Sequence, residues 1–476
     1  MKNLYILVKT LDMISKNRRT FLKGASLVAG WFGFSVAAKP AETMLNRMLE
    51  NEAVRPSAQE SVIGLRKNPI QQVKVAMLGL GNRGTGQAKL VNALFPTKAR
   101  ITALCDIRPQ QVEKNLAMVK QEGQNPATYS GSEDAWKEMV HRDDIDLVII
   151  CTPWEDHVPM ALYCMDQGKH VAVEVPAAWT LDECWALVDK AEETQLNCMM
   201  LENVCYGDEE LWVLNMVRQG VFGTLTYGEA AYIHNLRDSL FSPGHYYKDW
   251  RIRHNAAQDG NLYPTHGLGP VAQYMDINRG DKFDTLVSMS SKEASLSEVA
   301  RTLPADHAYH QHDKFAHGDM NNTLIKTAEG RTILVQHDVV TPRPYSRINA
   351  LAGTKAYHEG YPSRLSIAGK GHDWLDEESY AEYRDNYRHP IWQKLNDGIN
   401  QHGGHGGMDF VQIFRLIDCL NNGWPLDMDV YDAAAWSCLI PLTKISIELG
   451  SIPVKVPDFT RGEWKSKRDL GIFANV

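Results

Sequence analysis

Gly79-Leu80-Gly81-Asn82-Arg83-Gly84 carries three glycines at GxGxxG spacing. Such glycines allow a tight turn and let backbone N–H groups approach a pyrophosphate at a helix N-terminus. Asp106 stands 27 positions after Gly79, within reach of adenosine ribose hydroxyls. A carboxylate there repels a 2′-phosphate, which favours NAD over NADP; Arg108 beside it keeps NADP open. Farther on, Trp250-Arg251-Ile252-Arg253-His254 and Asp259-Gly260-Asn261-Leu262-Tyr263-Pro264-Thr265-His266-Gly267 gather aromatic, basic and imidazole groups around glycine and proline. No helical or strand period assigns them to a core, so this stretch reads as a binding loop running into a helix.

These residues need elements to hold them. Val73–Leu78 is an apolar β run directly before the glycines, and a helical stretch follows them. Further strands are expected at Arg100–Cys105, Asp146–Cys151, His170–Val173 and Asn197–Leu201, with helices such as Thr180–Glu193 between them. That rhythm predicts a doubly wound parallel sheet of the Rossmann type. Its ligands sit beyond the carboxyl ends of the strands, so the loop Cys151-Thr152-Pro153-Trp154-Glu155-Asp156-His157 should border the cofactor. After a helical Asp208–Arg218, alternating segments at Thr224–His234, Thr323–Lys326 and Thr332–Asp338 predict an α+β domain with an open, mostly antiparallel sheet. One face of that sheet can carry a substrate, and the open sheet leaves a homodimer plausible. The expected division is residues 1–38, 39–71, 72–201 and 202–476: export segment, linker, Rossmann domain and substrate domain.

The export segment rests on Arg18 and Arg19, set ahead of the small and apolar run Gly24–Ala38. This pattern reads as a twin-arginine signal leading to the periplasm, with Met13 as an alternative start. The run is shorter than the ~20 residues that span a bilayer, so no stable membrane anchor is expected after cleavage. A net charge of −8 offers no basic field for a phosphate backbone, which argues against nucleic acid as a partner. The eight cysteines include no CxxC and read as buried thiols. Histidines at 307, 310, 312, 317, 402 and 405 lack cysteine or carboxylate partners at ligand spacing, so no metal is assigned.

The order GxGxxG, Asp106, Thr152-Pro153 and Glu174-Val175-Pro176 resembles the Gfo/Idh/MocA oxidoreductases, although Val175 replaces their usual lysine. Gly-Asn-Arg-Gly at 81–84, Trp-Glu-Asp-His at 154–157, Glu-Val-Pro at 174–176 and Tyr-Pro-Thr-His at 263–266 together resemble glycoside hydrolase family 109 within that superfamily. That family consists of NAD-dependent α-N-acetylgalactosaminidases. Beside Gly79, Gly81 and Gly84 of the turn, the resemblance implies that Asn82, Arg83 and Asp106 contact NAD, as do Trp154, Glu155, Asp156, His157, Glu174, Val175 and Asn203. It implies that Tyr232, Arg251, Tyr263, Pro264, Thr265, His266 and Tyr345 line the sugar site; on residue chemistry, His266 or Tyr263 is expected to be the catalytic proton-transfer group. Tyrosines can stack on a sugar or offer a hydroxyl, an arginine can fork onto an acetamide carbonyl, and a histidine exchanges a proton near neutrality.

An ordinary glycosidase uses two carboxylates. The resemblance implies another route to removing terminal α-linked N-acetylgalactosamine from glycans. NAD takes hydride from sugar carbon 3, a base removes the acidified proton on carbon 2, the glycosidic oxygen leaves, water adds, and the hydride returns. The cofactor ends unchanged, which suits an exported enzyme that leaves its NAD supply behind. A sugar oxidoreductase of the Gfo/Idh/MocA type and a non-catalytic sugar- or dinucleotide-binding protein are the two rival readings.

Overall fold

The computed structural model describes residues 55–57 and 59–474. The twin-arginine segment at 1–38 and residues 39–54 of the expected linker lie outside the described residues.

Six short strands form the first sheet: β1 (Val73–Leu78), β2 (Ala99–Cys105), β3 (Ala127–Tyr129), β4 (Leu147–Ile150), β5 (His170–Val173) and β6 (Cys198–Met200). They lie in the order β3-β2-β1-β4-β5-β6, and every pairing is parallel. Helices cover a parallel sheet on both faces, so its central strands must be apolar throughout. Accordingly, every residue of β4 and β5 is buried. The strand order reverses between β1 and β4, which opens a crevice beyond their carboxyl ends. The sequence reading found five of these strands and missed β3, a three-residue edge strand with no buried residue to mark it.

The second sheet has eight strands: β7 (Leu225–Ile233), β8 (Phe283–Ser290), β9 (Asn321–Thr327), β10 (Thr332–Asp338), β11 (Ala350–Gly353), β12 (Ala356–Gly360), β13 (Ser363–Ile367) and β14 (Val454–Lys455). Their order is β13-β12-β11-β7-β10-β9-β8-β14. Only β7 and β10 run parallel, so the mostly antiparallel sheet expected from the sequence is present. Gly228, Ala230 and Tyr232 of β7 face the helix Thr265–Tyr274. A Cβ on Gly267 would stand 2.3 Å from the Ala231 nitrogen, and one on Gly228 would stand 2.7 Å from Val271. The missing side chains let the helix lie directly on β7, which brings His266 over Tyr232. The opposite face is open, and Met289 and Leu324 are exposed there.

Two expectations about local structure change. Trp250–Ala257 is a helix rather than a loop. Only Ile252 and Asn255 of it are buried, so it turns too little apolar surface inward to announce itself in the sequence. The chain before β1 also packs on the body of the protein. Val62 is buried with its N–H on the Tyr431 hydroxyl, and Ile70 N–H donates to the Leu420 carbonyl. Among the described residues no helix is long and apolar enough to cross a membrane, and all eight cysteines are free.

Candidate active site

Loops from the carboxyl ends of β1, β2, β4 and β5 meet the helix Trp250–Ala257 and the start of Thr265–Tyr274 around a cleft of about 1080 Å³.

On the cleft floor, the three glycines answer to different neighbours. A Cβ on Gly79 would meet the Cys151 carbonyl at 2.8 Å, and one on Gly84 would lie 1.8 Å from the Gly79 oxygen. Protein packing therefore demands both. Gly81 lines the cleft, and a Cβ there would find nothing nearer than Arg108 Nη2 at 3.5 Å. Its bareness leaves room for a ligand rather than for the chain. Asn203 also lines the cleft, and its Oδ1 is buried without a partner. An unsatisfied buried oxygen and a bare glycine turn at a helix N-terminus, lining one cleft, fit a bound dinucleotide.

Asp106 is buried at the end of β2. Its carboxylate accepts the Leu80 N–H at 2.7 Å and, from Arg108, the backbone N–H at 2.9 Å, Nε at 3.0 Å and Nη2 at 3.1 Å. Arg108 is bound to this acid through Nε and Nη2 and lies 5.2 Å over the Tyr247 ring.

Arg83, at the start of the helix Asn82–Asn92, ties the floor together. Its Nε donates to Glu174 at 2.6 Å, and its terminal nitrogens donate to both oxygens of Asp409 at 2.8 and 3.1 Å. Asn203 donates to Asp409 at 2.6 Å, and His405 Nδ1 lies 2.7 Å from the same carboxylate. Burial alone would raise the Asp409 carboxyl, but His405 and Arg83 outweigh it and hold the group well below the usual range. Asp409 stands in the first turn of the helix Met408–Asn422, and its position beside Arg83 is a tertiary fact.

One wall is aromatic. Trp154 donates its indole N–H to the Val175 carbonyl at 3.1 Å and stacks on Trp179 at 4.8 Å. Glu155 pairs with Arg253 at 2.9 Å, and Asp156 lines the cleft beside it. His157 lines the cleft as well, but both of its ring nitrogens face carbonyls, Pro176 at 2.8 Å and Thr152 at 2.9 Å. It shapes the two loops instead of offering a free polar atom.

The second wall holds the expected sugar residues. Tyr232 and Tyr263 lie 4.6 Å apart, and the His266 ring stands edge-on to both at 5.4 and 4.9 Å. His266 Nδ1 donates to Glu202 at 2.7 Å, which leaves Nε2 for the cleft. Burial raises the Tyr263 hydroxyl well above its ordinary value and raises Tyr232 too, so both remain protonated donors at neutral pH. Arg251 lies over the faces of Tyr263 and Trp154 at 5.1 and 5.5 Å.

Four expected residues stand elsewhere. Gly84 is inside the turn, while Pro264 and Thr265 are buried at the start of their helix, where they aim His266. Tyr345 is 40% exposed and 6.5 Å from Tyr232, at the margin of the sugar wall. Glu202 was not anticipated, although it stands two residues past the end of β6 and so lies at a strand end like the other site loops. Among the described residues no three His, Cys, Asp or Glu side chains gather as metal ligands.

Comparison with known proteins matches residues 73–202 to the model of the oxidoreductase family with an NAD-binding Rossmann fold. Residues 206–466 match the model of the glycosyl hydrolase 109 C-terminal domain. A glycosyl hydrolase family 109 protein of Shewanella pealeana is 48% identical over 464 residues, covering 96% of this chain and 99% of the relative. A protein of Shewanella oneidensis named alpha-N-acetylgalactosaminidase is 46% identical over 463 residues, covering 96% and 98%. Among solved structures, levoglucosan dehydrogenase in complex with NADH superposes with a TM-score of 0.61 at 16% identity, covering 82% of this chain and all of that one. An inositol dehydrogenase homolog from Azotobacter vinelandii complexed with NAD+ gives 0.59 at 16% identity, covering 82% and 99%. These two likenesses concern the fold.

Proposed function

Because the chain belongs to glycosyl hydrolase family 109 and carries an NAD-binding Rossmann domain, we propose that it removes terminal α-linked N-acetylgalactosamine from glycans by reversible oxidation of the sugar. The observation that carries this reading is the sharing of one cleft. The bare Gly81 turn and His266, whose Nδ1 is held by the buried Glu202, face the same space.

The turn Gly79–Gly84 and the first N–H groups of Asn82–Asn92 would hold the pyrophosphate, with Asp106 at the adenosine ribose. Glu174 and Asn203 would stand at the other end of the dinucleotide. Bound NAD supplies a reversible hydride acceptor for sugar carbon 3. The remaining work falls to the chain. Val175 has no proton to exchange, so the proton of the carbon 3 hydroxyl passes to His266 Nε2, while the Tyr263 hydroxyl, held protonated by burial, donates a hydrogen bond to the sugar. Glu202 fixes the His266 ring with Nδ1 protonated and Nε2 as acceptor. Tyr232 and Trp154 give the sugar apolar faces and displace water from the reacting carbons. Arg18 and Arg19 support export with the cofactor loaded.

The test uses purified mature protein without added cofactor on p-nitrophenyl α-N-acetylgalactosaminide, following nitrophenol and the NADH band together. Many turnovers without net NADH are expected. Stoichiometric NADH without nitrophenol would replace this reading with a sugar oxidoreductase. Silence in both, with and without NAD, would remove the activity.

A further inference from the structure

Arg251, half-buried on the cleft wall, differs from four other arginines of this protein. Arg83, Arg279, Arg347 and Arg415 each have a carboxylate at 2.5–2.8 Å: Glu174, Asp432, Glu210 and Asp427. Arg251 has none among the described residues. It donates a hydrogen bond to a tyrosine hydroxyl, that of Tyr246 at 3.3 Å. Its guanidinium is surrounded by the rings of Tyr263 at 5.1 Å, Trp154 at 5.5 Å, Tyr246 at 5.6 Å and Tyr232 at 6.0 Å. The helix Trp250–Ala257 delivers it into the cleft next to His266.

A guanidinium is permanently charged, and taking it out of water without an anion is costly. Aromatic faces compensate part of that cost through their quadrupoles. A neutral acetamide oxygen could be served by a neutral donor at lower cost. A fixed cation lining the cleft among aromatic rings is suited to a negative charge that appears in place, because the surrounding dipoles need no rearrangement.

We propose that Arg251 holds the negative charge that develops on the sugar oxygen at carbon 3 when the carbon 2 proton is removed. This rests on the proposed function and deepens it. A base takes the carbon 2 proton, the C–H electron pair becomes the carbon 2–carbon 3 double bond, and the carbonyl pair moves onto the carbon 3 oxygen beside Arg251. That pair then re-forms the carbonyl and the double bond shifts to carbons 1 and 2. The bond from carbon 1 to the glycosidic oxygen breaks, and the departing oxygen takes its pair and a proton. No oxidant is consumed in these steps. Arg251 is thereby a catalytic residue that acts after hydride transfer and before departure of the aglycone.

The experiment compares wild-type holoenzyme with Arg251→Met and Arg251→Lys in D2O. It follows transient NADH absorbance, nitrophenol release and deuterium at carbon 2 of the sugar, with bound NAD and melting temperature as checks on folding. Arg251→Met is expected to form NADH at close to the wild-type rate while losing ~100-fold or more in both deuterium exchange and release. Arg251→Lys, which keeps a cation, should recover part of both and carries the test if the Met variant does not fold. Equal slowing of NADH formation and release would overturn the proposal, as would a rise in KM at unchanged kcat. A wild-type enzyme that releases no aglycone overturns the proposed function itself, and this assignment with it. Wild-type release with a near-normal Arg251→Met overturns this assignment alone.

Discussion

The buried carboxylate of Glu202 lies 2.7 Å from Nδ1 of His266, across 64 residues of sequence, and so determines which ring nitrogen faces the cleft. The helix holding His266 is pressed onto β7 through Gly267, so neither partner can turn away.

If that pair moves protons, His266→Ala should lower kcat by ~10²–10⁴-fold, the usual size of a general acid–base contribution. Bound NAD should stay at wild-type stoichiometry, because His266 touches none of the glycine turn. Glu202→Gln should produce a smaller loss, together with a mixed His266 tautomer in ¹⁵N NMR. Retention of full activity by His266→Ala would remove it from the mechanism.

Gly81 and Gly84 separate ligand from packing. Gly84→Ala must displace the Gly79 carbonyl and should cost several kcal/mol, seen as poor expression or a strongly lowered melting temperature. Gly81→Ala adds a methyl group that meets only the Arg108 tip. It should fold with a near-normal melting temperature yet purify without NAD. A loaded Gly81→Ala protein would show that the pyrophosphate does not pass there.

Asp106 should reject NADP. A 2′-phosphate would meet a carboxylate whose arginine neighbour is already bound to it, so NADP should bind at least ~10-fold more weakly than NAD, a difference of about 1.4 kcal/mol. Asp106→Ser frees Arg108 and should narrow or reverse that ratio in titrations of apo-protein.

The Arg83–Asp409 contact should leave a mark on acid stability. The Asp409 carboxyl is held below its unfolded value of about 3.9, so its contribution is fully present above that pH and is lost as pH falls through the folded value. Asp409→Asn should lower stability by about 3 kcal/mol near neutrality. The deficit should shrink in melts carried to progressively lower pH. A deficit that did not change with pH would assign the loss to packing instead of charge.

Much of this was legible along the chain because it is local. A strand, a GxGxxG turn and a helix are contiguous, and every strand-end loop at 79–84, 106, 152–157 and 174–176 lies where parallel-sheet topology requires a ligand. The helix Trp250–Ala257 escaped because its polar and aromatic side chains line a cleft instead of a core, leaving no apolar period to read.

The residue types at the site, their order and the sheet that carries them were determined by the sequence itself, since hydrophobic period and turn chemistry act over a few residues. Their partners were decided by the tertiary structure alone. Arg83 finds Asp409 across 326 residues, His266 finds Glu202 across 64, and Arg251 is left among tyrosines with no carboxylate among the described residues. Charge pairing depends on distance in space and on the water excluded between groups, and neither quantity exists until helices and sheets have packed.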